Sequence, residues 1–306
     1  MTHTSPRKDT KLAPVQAPRS RRGAWRRWLA GSMGVLAVLL QVEAARAADP
    51  FRTGADARPI GPEVEAAFDE YFCRGDYTNS RNLLMQAQQA EPNEPIVYAL
   101  LASVSYQEGN LDGLAEMAVK TRETAAALEA TDPLRGNLYE GIGYALEAAH
   151  RVLKDGVTAG LPRALPTLNK VFAAVREAAK VDPTDPELNL LSGYIDLILT
   201  RREKALKQFN QAAPAYLAFR GQALTLRDMD RDREALTAID KAIEIACDNP
   251  ELYYLKAQLL NRLNDFAQSL DYFNRALEQA DGLPSDLVTQ MTRERDSVQR
   301  KLQAGN

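Results

Sequence analysis

Apolar and small residues return along this chain at a fixed phase. Phe219 and Tyr253, Ala223 and Ala257, Leu226 and Leu260, Ala235 and Ser269, Ile239 and Phe273, and Ala242 and Ala276 each lie 34 residues apart, as do Gly75 and Gly109 far upstream. Inside each period the apolar positions fall three and four apart, which gathers them on one face of a helix. Two such stripes separated by a polar turn make a helix-turn-helix unit, and a 34-residue period is the mark of such units stacked into a solenoid. The predicted fold is all-α: a right-handed α-solenoid of about six helix pairs with a C-terminal cap helix. An array of this kind presents a long concave surface, so the pattern predicts a binding protein.

Residues 48–60 hold Pro50, Gly54 and Pro59 with few apolar groups and read as an extended lead-in. The first unit, 61–94, places Val64, Ala67, Phe68, Tyr71 and Phe72 on one helix and Leu83, Leu84 and Ala87 on the next, with Gly75 at the turn. The second, 95–132, repeats the plan with Tyr98, Leu101 and Ala102, then Gly109, then Leu114 and Ala118. The third, 133–183, is irregular, because its turn is expanded by an insertion at 154–164. Insertions in solenoids often mark a binding face, and a tolerated surface loop is the plainer alternative. Units at 186–213, 216–249 and 250–283 follow, the last two being the cleanest pair. In 284–306, Leu287, Met291, Val298 and Leu302 share one stripe, as expected of a cap helix and tail.

Tyr253, Ala257, Ser269, Phe273 and Ala276 together resemble the tetratricopeptide repeat, which sets a large and a small residue on its first helix and Ala–aromatic–Ala on its second. Pro92 and Pro183 fall at the terminal proline of that repeat, and the resemblance covers about 61–283. More narrowly, the stretches 132–139, 186–194, 216–221 and 249–257 are similar to an exported tetratricopeptide family of cyanobacteria. That resemblance implies fold and compartment, and no reaction.

The first residues form a separate object. Arg19, Arg21, Arg22, Arg26 and Arg27 precede an apolar stretch from Leu29 to about Val42, followed by Ala45-Arg46-Ala47. A basic region, a short apolar core and small residues at −3 and −1 predict a signal peptide over 1–47, with cleavage after Ala47. Gly31, Ser32, Gly34 and Gln41 dilute the apolar run, which is shorter than the roughly 20 residues a membrane span needs. Ser20-Arg21-Arg22 points weakly to twin-arginine export, and the general secretory route fits better because Ala24 stands where the twin-arginine motif prefers a large apolar residue. The expected compartment is the periplasm or the thylakoid lumen.

Removing that leader changes the charge. The chain holds 38 Lys/Arg and 41 Asp/Glu, of which nine and two lie in 1–47, leaving 29 against 39. Such an acidic balance argues against a nucleic-acid partner and disfavours an anionic membrane surface. Cys73 and Cys247 sit in the first and fifth units, and stacking at about 8–10 Å per helix layer sets them tens of ångströms apart. Two free thiols are therefore expected, with an intermolecular bridge as the alternative.

Catalytic chemistry lacks its parts. His150 is the one histidine beyond the leader, and no Cys-x-x-Cys is present, so zinc sites and Ser–His or Cys–His pairs are not predicted. Asp228, Asp230 and Asp232 alternate like calcium ligands, but Arg233 and Ile239 occupy the positions where a calcium loop needs Gly and Glu. Gly141-Ile142-Gly143 is half of a nucleotide-binding pattern with no strand before it, and helix packing accounts for it. No enzyme activity, cofactor or metal is predicted. The leading expectation is an exported scaffold that binds a protein or peptide through its concave face. A self-associating component of the envelope is the alternative, and an enzyme or small-ligand receptor a weaker one.

Positions −3, +1 and +4 from the small residue of each first helix face the groove. They select Glu140, Tyr144 and Glu147 around Gly143, Tyr194 beside Gly193, Arg220 and Arg227 around Ala223, and Tyr254, Gln258 and Asn261 around Ala257. Arg and Tyr often dominate interfaces, and the Arg fork fits a carboxylate, so an acidic or C-terminal peptide is the expected ligand of the fifth and sixth units. The Lys/Asn clamp of some tetratricopeptide proteins is not expected, because Leu224 and Gln258 stand where it wants Asn.

Overall fold

A computed structural model describes residues 49–304 of the chain, so the expected signal peptide lies outside the described residues. Among the described residues, all long elements are α-helices. They are α1 (Pro62–Phe68, continued by a wider π-helical turn at Asp69–Arg74), α2 (Tyr77–Ala90), α3 (Pro95–Gln107) and α4 (Leu111–Leu128). Then come α5 (Pro133–Val181), α6 (Pro186–Ile198), α7 (Arg202–Phe209), α8 (Ala215–Asp228) and α9 (Asp232–Ile245). The last three are α10 (Pro250–Arg262), α11 (Phe266–Glu278) and α12 (Ser285–Ala304).

Local chemistry sets the helix starts. Pro62, Pro95, Pro133, Pro186 and Pro250 each open the first helix of a pair, where a missing N–H costs nothing. The caps Glu94, Asp132, Asp185 and Asn249 stand just before four of them and accept a backbone N–H. The turn inside a pair uses a left-handed residue: Gly75 and Gly109 in the first two pairs, then Thr200, Asp230 and Asn264. Asp230, read in sequence among candidate calcium ligands, is thus a turn residue, and Arg262 pairs with it at 2.8 Å and with Asp232 at 2.7 Å.

Successive pairs stack into the solenoid. Ala223, Ala235, Ile239, Ala242, Ala257, Ser269, Phe273 and Ala276 are all fully buried, so the phased positions are the core. The small residue of the second helix lets it approach the first, and where it is serine its hydroxyl donates to the partner's backbone: Ser80 to the Ala67 carbonyl and Ser269 to the Ala257 carbonyl, both at 2.8 Å. The Phe209 ring wedges between α6 and α8, where a Cβ on Gly193 or Gly221 would lie 2.7 or 2.3 Å from it. α12 packs on α11 and buries Met291 and Val298.

The third pair corrects an expectation. Residues 154–164 are not an inserted loop: they are helical apart from Gly156, whose φ of 74° and ψ of 163° break α5 into two arms, 133–155 and 157–181. The Arg151 guanidinium reaches the Thr167 hydroxyl at 3.0 Å, and Asp155 pairs with Arg163 at 2.8 Å, so the arms fold back on each other. Apolar spacing on both sides of the break persists, and the extra residues lengthen the helices rather than the turn.

Candidate functional site

The concave face is built by curvature. Each pair turns a little relative to the last, and over six pairs the chain comes round until its first pair meets its sixth. The end of the π-helical turn, Phe72 to Tyr77, rests on the start of α10. Asn249 donates to the Phe72 carbonyl at 3.0 Å, and Tyr77 donates its hydroxyl to Glu251. Gly75 has φ 71°, and a Cβ there would lie 3.2 Å from the Asn249 Oδ1 and 3.3 Å from the Pro250 ring.

Cys73 and Cys247 form a disulfide at this contact, with Cα atoms 5.0 Å apart. The expectation of two free thiols is therefore overturned. It rested on a straight stack, in which several intervening layers separate the two residues, whereas the superhelix brings its ends together.

Closure leaves two connected spaces on the concave side. One, about 270 Å³, is lined by Tyr71, Tyr77, Gln107, Tyr194, Arg220 and Glu251. The other, about 430 Å³, shares Gln107, Arg220 and Glu251 with it and adds Tyr106, Leu224, Arg227, Tyr254 and Gln258, with Asp286 and Gln290 from α12. Arg220 pairs with Glu251 at 2.7 Å, and its side chain is partly exposed. Burial works against its charge, but Tyr194 and Glu251 hold its pKa above the usual arginine range. Among the described residues, Arg227 is held by its neighbour Asp228 at 3.1 Å and by Gln258 at 3.4 Å. Burial lifts the Tyr71 hydroxyl to about 12, with Glu251 adding to the effect, and raises Tyr77 and Tyr254 as well. These phenols stay protonated and remain donors.

The sequence-selected residues divide. Arg220, Arg227, Tyr254 and Gln258 line one space, and Tyr194 lines the adjoining one with Arg220. Tyr254 and Gln258 already bond Glu294 of α12, at 2.7 and 2.9 Å, and Asn261 accepts from Lys301 at 2.9 Å. Glu147 pairs with Arg122 at 2.5 Å, and Tyr144 lies under the cations of Arg122 and Lys170. Glu140, half-buried on the same arm, is not among the lining residues of either space. The helix-face rule missed Tyr71, Tyr77, Tyr106 and Gln107, which reach the chamber only because the ring closes.

Residues 49–60 do more than lead in. Phe51 packs edge-on against Phe68, ring centroids 5.4 Å apart. Arg52, 7% exposed, forks Asp185 at 2.6 and 2.8 Å, reaches Glu187 at 2.8 Å, and donates to Asp49 at 3.2 Å. Glu187 is fully buried and also takes the Tyr139 hydroxyl at 2.6 Å and Arg135 at 3.3 Å, while Arg135 binds Glu94 at 2.7 Å. Burial alone would lower the Arg52 pKa, but Glu187 and Asp185 outweigh it and hold the group charged. Arg58 adds a pair with Asp132 at 3.2 Å, so one short segment ties the starts of α5 and α6 together.

No protein-family model matches the chain, and a search of curated proteins finds no match. Solved tetratricopeptide structures are similar to it. Yeast Tom70 shares 13% identity over 83% of this chain and 67% of that one, with a TM-score of 0.42. A thermophilic tetratricopeptide protein of Thermus thermophilus shares 18% over 77% of this chain and 96% of that one, at 0.32. A tetratricopeptide repeat protein from Parabacteroides merdae shares 14% over 76% and 97%, at 0.38. These likenesses concern the helix-pair repeat alone.

Proposed function

We propose that this protein is an exported, non-catalytic interaction scaffold that receives a short acidic or carboxylate-ended segment of a partner protein in its concave chamber. The observation that carries the reading is Arg227, which shares a space of about 430 Å³ with Arg220, Tyr254, Tyr106 and Gln107 and whose partners among the described residues are Asp228 and Gln258. A guanidinium so loosely compensated, with phenols beside it, offers two-point binding to a carboxylate. The volume suits a chain end or a few side chains rather than a docked helix. The leader pattern supports export to the periplasm or thylakoid lumen, and the Cys73–Cys247 disulfide adds to it, because such bonds persist in oxidising compartments.

The test is a library of short N-acetylated peptides, each made with a free and an amidated C-terminus, against wild type and Arg227→Ala. Truncating Arg227 leaves the ring contacts intact. Acidic or free-carboxylate peptides are expected to bind, and to lose at least about tenfold in the variant, as interface arginines do. Retention of equal affinity by a folded Arg220→Ala, Arg227→Ala, Tyr254→Ala triple variant overturns the reading.

A further inference from the structure

The tip of the α5 hairpin inverts ordinary amphipathicity. Its second arm turns small residues inward: Gly160, Ala164 and Thr167 are buried, and a Cβ on Gly160 would sit 2.7 Å from the Arg151 carbonyl of the first arm. Up to Leu165 its large apolar residues point to water, whereas Val171 further along is buried. Val157 is 68% exposed, Leu165 54% and Leu161 44%, at i, i+4 and i+8 on one stripe, with Leu153 joining from the first arm at 42%. Four of the ten exposed large apolar side chains among the described residues thus cluster at one tip.

That tip also projects. Arg58 pairs with both Asp132 and Asp185, so α5 and α6 start level. At about 1.5 Å per residue the arm 133–155 reaches about 34 Å, against about 20 Å for α6. The end of the hairpin therefore stands clear of its neighbour by about 14 Å.

The charge at the tip is opposite to that of the body. Arg151, Lys154 and Arg163 face a single carboxylate, Asp155, which is taken by Arg163 at 2.8 Å. The rest of the chain beyond the leader carries 26 Lys/Arg against 38 Asp/Glu. The acidic balance that disfavours an anionic membrane for the whole chain does not hold at this tip.

We propose that the α5 hairpin tip is an interfacial anchor that dips Leu153, Val157, Leu161 and Leu165 into an anionic bilayer surface, with Lys154 and Arg151 at the headgroups. A convex apolar wedge ringed by cations matches a surface that yields to it, and interfacial segments bury their apolar face about 5–10 Å deep. The projection of the hairpin supplies that depth while holding the acidic body away. Among the described residues no helix is long and apolar enough to cross a membrane, so the contact is peripheral.

Both native cysteines are bonded, so Val157→Cys in the full chain gives one reactive thiol for an environment-sensitive label, and Glu278→Cys places the same label on the exposed body. With vesicles containing phosphatidylglycerol, the label at 157 is expected to shift to the blue and brighten at least about threefold, the label at 278 to stay unchanged, and phosphatidylcholine vesicles to give far less. High salt weakens the effect, and Leu161→Glu with Leu165→Glu removes it while the helical circular dichroism stays the same. No change at 157, or an equal change at 278, overturns the proposal. So does an equal response to phosphatidylcholine, or a concentration-dependent shift without vesicles, which would place a second copy on the tip.

Discussion

The last two complete pairs, α8–α11, and the α5 hairpin are built from the same helix-turn-helix unit and use it in opposite ways. In α8–α11 the large residues face in and the repeat length holds at 34. At the tip of the α5 hairpin the small residues face in and the large ones face out, while Leu134, Leu138, Tyr139 and Val171 nearer the base are buried, and both helices are overlong. The regular pairs must deliver α10 to the Cys73 contact, and a change in rise or rotation there would be felt at the closure. The hairpin tip lies outside that constraint, so it is free to carry a different surface.

Substitution in the two regions separates them most sharply. Phe273→Ala empties a fully buried site in α11 and is expected to cost about 3–5 kcal/mol in urea denaturation, whereas Leu165→Ala at the tip should stay within about 0.5 kcal/mol. Similar losses at both sites would mean that the tip is packed and the contrast is wrong.

The closure comes next. Cys73→Ser with Cys247→Ser opens the chord between the first pair and the start of α10. It is expected to lower stability by about 2–5 kcal/mol, since the bond closes a long loop in the unfolded chain. Small-angle scattering should show a larger radius if the remaining contacts also loosen. Unaltered stability would show that the hydrogen bonds of Asn249 and Tyr77 hold the ring alone.

The smallest contrast sets two glycines against each other. Gly75 and Gly109 both have φ 71°, so alanine at either costs about 1–2 kcal/mol of backbone strain. Gly109 faces open space, while Gly75 abuts Asn249 and Pro250, so Gly75→Ala should lower the Tm further than Gly109→Ala. Equal losses would detach the closure from Gly75.

What could be read from the sequence was whatever depends on neighbours along the chain. The 34-residue phase, the helix-opening prolines and the glycine turns at 75 and 109 are local, and they carry the helix pairs. Thr200, Asp230 and Asn264 take the same left-handed turn without glycine, which only backbone geometry reveals. Arg220, Arg227, Tyr254 and Gln258 could be selected because they share a helix face. Tyr71, Tyr77 and Gln107 could not, since they reach the chamber through a curvature that accumulates over successive small rotations. Arg52 was hidden for the same reason: two of its three carboxylates, Asp185 and Glu187, lie 133 and 135 residues away.

Closure also sets how many repeats this chain can hold. An open solenoid grows or shrinks by a unit at little penalty, because each unit touches only its neighbours and the ends can fray. Here Cys73 meets Cys247 only when the intervening pairs turn the chain by the right amount. A duplicated or deleted pair would carry the two cysteines past each other and open the chamber. The number of repeats behaves like the number of staves in a barrel, and the chain has traded the adjustable length of its architecture for a fixed one.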